Sequence, residues 1–132
     1  MWEITQPRHY AKVVFTEPIT SFSYSNDMFI IPEKEKLTCL TLFDGRRSEI
    51  VTGRNIRCVH AVSYGDENFC IATPSESKGS VQLTWFNSKN PSKEYKTVHI
   101  GGAHQSSISQ LALDYLGTTL ATCSEDVSEN YR

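Results

Sequence analysis

The chain has 132 residues, of which 39% are hydrophobic and 21% are charged, a composition typical of a globular protein and not of a disordered or fibrous one. Its 13 lysines and arginines stand against 15 acidic residues, which gives a formal net charge of −2. This balance creates no overall positive field that would attract nucleic acid or an anionic membrane, so no nucleic-acid partner is expected.

Four cysteines are spread along the chain without a Cys-x-x-Cys pair and without a histidine at ligand spacing. This spacing argues against a structural zinc ion and against a dense disulfide framework. Their strand-like surroundings predict buried, reduced thiols, as expected in the cytoplasm. The first residues lack a signal-peptide pattern, and no stretch approaches the ~18 apolar residues that a membrane span needs. The cysteines are Cys39, Cys58, Cys70 and Cys123.

Residues 19–55 form the first complete predicted unit. Two apolar pairs separated by a turn come first, and two alternating segments joined by the strong hairpin signal Asp44-Gly45 follow. Each part reads as one strand, so the unit is predicted to have four. The apolar pairs are Ile19 with Phe22 and Ile30 with Ile31, and the alternating segments are residues 37–43 and 48–51.

Residues 56–103 repeat this pattern. Two apolar pairs again flank a turn, and two alternating segments, SVQLTWF and residues 94–100, are joined by the polar loop NSKNPSK. No window sustains the 3.6-residue period of a helix. Four aromatic residues in the two units are expected in the core. The apolar pairs are Val59 with Val62 and Cys70 with Ile71, and the aromatic residues are Phe22, Phe43, Trp85 and Phe86.

Residues 104–132 begin the pattern a third time. Ile108 and Leu111 precede a Leu116-Gly117 turn and Leu120. Positions 19, 22 and 31 recur at 59, 62 and 71, and again at 108, 111 and 120. A period of about 40 to 50 residues filled with short strands is typical of propeller blades.

The repeat predicts an all-β fold, a fragment of a WD-repeat β-propeller with about three four-stranded antiparallel blades and a ring that is not closed. Residues 1–18 are expected to end one blade, and residues 104–132 to supply the first half of another, truncated before its third strand. Open sheet edges carry unpaired backbone groups, so an isolated monomer is expected to be unstable. One alternative is therefore a short chain that pairs its open edge with another propeller fragment.

The segment GGAHQSSISQLALDYLGTTLATCSED, residues 101–126, resembles the corresponding blade of the PROPPIN family, the WD-repeat propellers that bind phosphoinositides in autophagy. The matching features in order are Ala103-His104, a polar pair, an apolar strand, Gly117-Thr118 and the Ala-Thr-Cys-Ser sequence at 121–124. A weaker resemblance extends upstream through ITSFSYSNDMFIIPEKEKLTCLTL and SKGSVQLTWF.

The resemblance implies binding of phosphatidylinositol 3-phosphate and phosphatidylinositol 3,5-bisphosphate. It also implies a cytoplasmic protein that associates peripherally with autophagic or endosomal membranes and works with autophagy proteins in autophagosome formation. Among the site residues, it implies lipid contacts by His104 and Ser124, and less directly by Thr122 and Ser106. Imidazole and hydroxyl donors can supplement the guanidinium groups that phosphate prefers.

The lipid pockets of the family flank an Arg-Arg pair in a Phe/Leu-Arg-Arg-Gly motif. That motif does not occur in the 132 residues, which continue after Ser124 as EDVSENYR. Lipid binding by this chain is therefore expected to be impaired.

His104 also has a structural interpretation. In WD-repeat blades a histidine before the first strand binds a serine or threonine on the second strand and an aspartate in the following turn. Ser124 and Asp126 are the expected partners here. This interpretation supports a different function, a WD-repeat scaffold that binds proteins and not lipid.

Two further groups of residues suggest a chemical function, but a structural role is expected for both. Four arginines in DGRRSEIVTGRNIR suit phosphate, but the nearby acidic residues favour a solvated turn. Cys58 and His60 lie two residues apart and lack the third orienting group of a catalytic site, so Cys58 is expected in the core. With no phosphate loop, carboxylate pair or metal cluster in the sequence, the chain is predicted to be neither an enzyme nor a cofactor-binding protein.

Overall fold

The computed structural model describes residues 15, 18–25, 28–41, 47–55, 57–65, 68–87 and 90–124, and from 90 to 95 it describes the backbone. Ten strands occupy most of these residues, and the prediction of an all-β chain is confirmed. Within these ranges, nothing forms a helix with the length and apolar character needed to cross a bilayer. The strands are β1 (Ser23–Ser25), β2 (Met28–Pro32), β3 (Lys36–Thr41), β4 (Arg47–Val51), β5 (Ala61–Val62), β6 (Asn68–Pro74), β7 (Val81–Asn87), β8 (Asn90–Ile100), β9 (Ile108–Leu113) and β10 (Leu120–Ser124).

The strands form two four-stranded antiparallel sheets and one two-stranded sheet. β1 to β4 pair in chain order in the first sheet, β5 to β8 do so in the second, and β9 pairs with β10 in the third. Each strand therefore pairs with its neighbour in sequence, as in the blades of a propeller. The described sheets do not close a ring, which agrees with the predicted partial propeller.

The first hydrophobic core lies between the first and second sheets. Phe69 and Phe86 stack there with their ring centroids 5.3 Å apart, and neither side chain is exposed by more than 1%. Apolar side chains from both sheets complete this core, so burial of apolar surface holds the two sheets together. The members are Met28, Ile30, Leu37, Cys39, Ile50, Val62, Phe69, Ile71 and Phe86.

A second core joins the second sheet to the third. Ala72 and Val81 are fully buried against Ile108 at the start of β9, and half-buried apolar side chains surround them. Successive residues of a strand point to opposite faces, so Ile71 reaches the first core while Ala72 reaches the second. β6 is therefore buried on both faces, which explains its nearly continuous apolar sequence.

Most predicted strands lie where expected, and β8 is longer than expected. The sequence predicts a loop over the polar residues 90–93, yet they belong to β8. The pairing of β7 with β8 shifts register between Trp85 and Phe86 and again between Phe86 and Asn87. Asn90 pairs with Asn87 and Glu94 pairs with Phe86, so residues 91–93 form the irregular part of the pairing. The predicted hairpin turn Asp44-Gly45 lies outside the described residues.

The turn between β9 and β10 is tighter than the repeat predicts. Val62 lies opposite Ile71 in the second sheet, so the repeat would set Leu111 opposite Leu120; instead Leu113 lies opposite Leu120. The Asp114 carboxylate accepts hydrogen bonds from the Thr118 amide, the Thr118 hydroxyl and the Thr119 amide at 2.6 to 2.9 Å. Gly117 supplies a positive φ of 75°. This side-chain capping closes the turn over fewer residues.

Acidification is expected to weaken this turn. The Thr118 hydroxyl, followed by the Thr119 amide, lowers the pKa of Asp114 below its ordinary value of 3.8. Because the folded pKa is the lower one, the stabilising contribution is fully present above the unfolded pKa and is lost as pH falls through the folded pKa. The melting temperatures of the native chain and of Asp114→Asn should differ at pH 7 and become equal as the pH falls to 2. The asparagine keeps one hydrogen-bond acceptor but carries no charge. Parallel pH profiles for the two proteins would contradict this expectation.

The four cysteines do not share one environment. Cys39 and Cys70 are buried as predicted, and burial raises the pKa of the Cys70 thiol to about 12. The prediction of a buried thiol is wrong for Cys123, which is exposed, and for Cys58, which is half-buried. Cys123 alternates along β10 with half-buried neighbours and so points away from the second core. Cys58 lies outside the strands and has a positive φ of 57°.

Candidate functional site

The segment that carries His104 is fastened to the second sheet through its backbone. The His104 amide donates to the Gly79 carbonyl at 2.9 Å, and the Gly102 amide donates to the Ser80 hydroxyl at 3.0 Å. Gly79 has a φ of 76°, and a Cβ atom there would lie 1.9 Å from the His104 carbonyl oxygen. Glycine is therefore required at this contact, which fixes where the β8–β9 linker passes the β6–β7 turn.

The His104 side chain binds Thr122. Its Nε2 atom lies 2.8 Å from the Thr122 hydroxyl oxygen, and both residues are half-buried. The expectation of a hydroxyl partner on the second strand of the hairpin is met, but the residue is Thr122 and not Ser124. Asp126, the other expected partner, lies outside the described residues.

Ser106 and Ser124 lie at the same end of the hairpin as His104. Ser124 is opposite Ile108 across the sheet, and Ser106 comes two residues before Ile108. A register shift between Cys123 and Ser124 interrupts the ladder at this end. The sheet thus brings together one imidazole and three hydroxyl groups, all on half-buried residues, which can donate hydrogen bonds to an anion. These four side chains contribute no guanidinium or ammonium group.

A second histidine, His60, also contacts a hydroxyl group, and this contact reaches the first sheet. His60 Nε2 lies 2.8 Å from the Ser23 hydroxyl oxygen on β1, and its Nδ1 lies 3.2 Å from the Cys58 carbonyl oxygen. Burial lowers the pKa of His60, and the hydrogen bond with Cys58 partly offsets this effect. His60 therefore links the β4–β5 linker to the first sheet.

The His60 ring contacts the backbone carbonyl of Cys58. His60 meets the carbonyl of Cys58, whereas the Thr20 hydroxyl donates to the Cys58 sulfur at 3.3 Å. These His60 contacts are with oxygen atoms, whereas a cysteine nucleophile is activated by a base at its sulfur. Among the residues that the structure describes, no three His, Cys, Asp or Glu side chains are grouped so that they could hold a metal ion.

The arginines of DGRRSEIVTGRNIR are separated by the fold. Arg47 lies over the Phe15 ring, 5.0 Å from its centroid, while Arg54 and Arg57 line a groove beside the third sheet. Arg46 lies outside the described residues. The groove has a volume of about 510 Å³ and also contains Lys78. Sequence reasoning missed this grouping because Lys78 is distant in sequence and gives no local signal.

Gly79 and Asp114 were also missed as positioning residues. Both lie in turns, where Lys78-Gly79 and Asp114 with Gly117 are ordinary turn signals. The sequence therefore held a signal for the turns. It held none for the contact between the Gly79 turn and the His104 linker, which comes from a different part of the chain.

Comparison with known proteins identifies a similar fold. No family model and no curated protein matches the chain. A solved structure of Kluyveromyces lactis Hsv2, described with its complete loop 6CD, is similar with a TM-score of 0.65 and 15% sequence identity. The match covers 86% of this chain and 34% of the Hsv2 chain, so the chain spans about a third of that protein. At this identity the likeness shows the fold, an arc of propeller-like sheets.

Proposed function

We propose that the chain is part of a PROPPIN-type propeller that binds 3-phosphorylated phosphoinositides, and that lipid binding by these 132 residues is impaired because they lack the family's Arg-Arg motif. The observation that carries the proposal is the hairpin at residues 101–124, where the sequence resembling that family folds into β9 and β10 beside His104. The similarity to Hsv2, a PROPPIN, supports it at the level of the fold. The division of the chain into blades at 18/19, 55/56 and 103/104 belongs to the same proposal.

The proposed head-group contacts are His104, Ser124, Thr122 and Ser106. An imidazole donor and hydroxyl groups can bind phosphate oxygens, but charge-assisted guanidinium contacts are stronger. Because these four side chains supply no permanent positive charge, they alone give weak affinity. His104 would also have to exchange or share its hydrogen bond with Thr122 when a phosphate enters.

The proposal extends to the membrane and to protein partners. Recognition of phosphatidylinositol 3-phosphate or its 3,5-bisphosphate would bring the protein to autophagic or endosomal membranes as a peripheral component. There it would act with autophagy proteins in autophagosome formation. Binding and recruitment, and not catalysis, are its proposed activities.

Nuclear magnetic resonance can test the head-group contacts directly. The 132-residue chain is titrated with inositol 1,3-bisphosphate, the water-soluble head group of phosphatidylinositol 3-phosphate, while backbone amide and imidazole signals are followed. Signals of His104, Ser106 and Ser124 should shift, and Ser124→Ala should weaken binding by about threefold or more because one hydrogen bond is lost. Cys123→Ser, an exposed neighbour on β10, should leave the affinity unchanged.

Two results would count against the lipid proposal. One is the absence of shifts at this end of the hairpin even at head-group concentrations high enough to reveal weak binding. The other is an equal response to inositol 4-phosphate, which would indicate general anion binding without recognition of the 3-phosphate.

A protein-binding scaffold is the second candidate function. It is favoured by the bond between His104 and Thr122, which already engages the Nε2 atom of the imidazole within the fold, and by the comparable bond between His60 and Ser23. A scaffold predicts that His104→Ala lowers the melting temperature and that neither the native chain nor the variant responds to inositol 1,3-bisphosphate. The lipid proposal predicts that the same variant also loses that response.

A further inference from the structure

The groove beside the third sheet adjoins the His104 segment at Gly79, but none of the four proposed head-group residues lines it. It is formed by the β4–β5 linker, the β6–β7 turn and the start of β9, with Ile108 and Pro74 as its apolar part. Both of these residues are buried, whereas Arg54, Arg57 and Lys78 are exposed at the rim. The groove therefore combines an apolar floor with a charged edge.

Positive charge is concentrated in this groove. Arg54, Arg57 and Lys78 line it together with a single acidic side chain, Glu76, although the whole chain has a net charge of −2. A local excess of cations in an overall acidic protein attracts an anionic partner and orients its approach.

Several backbone amides near the groove already donate hydrogen bonds within the fold. The Ser75 amide donates to Ser80, the Ser80 amide to Ser77, the Ser77 amide to the Ser75 hydroxyl, and the Gly53 amide to Pro74. A phosphate site usually gathers short backbone and side-chain donors around one point. These four amides are engaged within the fold, and the cations that line the groove are on long side chains of three separate residues, Arg54, Arg57 and Lys78.

We propose that this groove binds an extended acidic peptide from a partner protein. Carboxylates of such a peptide would pair with Arg54 and Lys78, and an apolar side chain between them would pack on Pro74 and Ile108. Long rim cations can reach spaced carboxylates, and a guanidinium pairs with a carboxylate through two parallel hydrogen bonds. Glu76 at the same turn limits the attraction and disfavours carboxylates directly beside it.

The test uses a short fluorescein-labelled peptide in which glutamates alternate with leucines, and a second peptide with glutamine at each glutamate. Fluorescence anisotropy with the full chain should show tighter binding of the glutamate peptide. Lys78→Glu should weaken this binding by about five- to tenfold, since it replaces an attraction by a repulsion at an exposed position. Glu76→Gln should strengthen it by about twofold.

Lys96→Glu is the matched control. Lys96 is exposed on β8 and does not line the groove, so the same charge reversal should change the affinity by less than about twofold. Circular dichroism establishes that each variant is folded. Equal binding of the two peptides, or equal losses in Lys78→Glu and Lys96→Glu, would overturn the proposal.

Two further arms identify the occupant by its chemistry. Inorganic phosphate and vesicles containing phosphatidylinositol 3-phosphate are each measured against the native chain and Lys78→Glu. If neither phosphate nor the vesicles displace the glutamate peptide, the result supports a peptide as the occupant of the groove. If phosphate or vesicles bind more tightly than the peptide and lose this binding in Lys78→Glu, the groove is not a peptide site.

Discussion

Replacing Phe69 with alanine is expected to lower the free energy of unfolding by about 3 to 5 kcal/mol. The side chain is fully buried and stacks on Phe86 with an interplanar angle of 16°. It lies in the core shared by the first and second sheets, so its removal leaves a cavity at the contact that joins them. Urea-induced unfolding, followed by circular dichroism, gives the change in stability.

Phe22→Ala is the control for this measurement. Phe22 is 60% exposed and makes an edge contact with Phe29 at 5.7 Å, so the expected loss is at most about 1.5 kcal/mol. Equal losses in the two variants would mean that the contact between the sheets does not govern stability. The Phe69→Ala chain is also expected to show a smaller fraction of folded protein before urea is added, because small domains have little stability to lose.

Replacing Gly79 with alanine is expected to destabilise the fold by at least about 2 to 4 kcal/mol. The new Cβ atom would meet the His104 carbonyl carbon at 2.7 Å as well as its oxygen at 1.9 Å, and the backbone φ of 76° strains any other residue. The linker must move, and the bond from the His104 amide to Gly79 is lost. Urea-induced unfolding measures the loss, and the His104 imidazole signal reports whether its contact with Thr122 survives.

Two neighbouring glycines separate the causes. Gly101 has an ordinary φ and Gly102 has a φ of 65°, and an added Cβ at either position meets no atom within 4 Å. Gly101→Ala should change stability by less than about 0.5 kcal/mol, and Gly102→Ala should cost about 1 to 2 kcal/mol from backbone strain alone. If Gly79→Ala costs no more than Gly102→Ala, the close approach of the His104 carbonyl is not a constraint on the fold.

The order of strands was predictable because it depends on local patterns. Alternating segments such as residues 37–43 and SVQLTWF mark single strands, and turn signals between them favour pairing of sequence neighbours. Side-chain burial was less predictable. Phe22 and Trp85 were expected in the core with Phe86, but Phe22 is largely exposed and Trp85 is half-buried. The outcome depends on which face of a strand meets another sheet, and a single strand does not reveal this.

The His104 group was predictable as a set of residues but not as a set of contacts. The Ala-His and Ala-Thr-Cys-Ser sequences mark both parts of the hairpin end, yet Thr122 and not Ser124 binds the imidazole. The tight Asp114 turn changes the pairing from that of the preceding repeat, with Thr122 opposite Leu111. The imidazole contact also depends on where the linker before β9 passes the hairpin, and the local sequence pattern does not specify this position.

The sequence alone determined an all-β chain of repeated antiparallel strands, because alternation and turn chemistry act over a few residues. The tertiary structure decided which sheets share a core, where the glycine at position 79 supports the His104 linker, and how Arg54 and Lys78 come to face one groove. Those features join segments 20 or more residues apart. Their geometry follows from the packing of whole sheets against each other, and local propensities do not specify it.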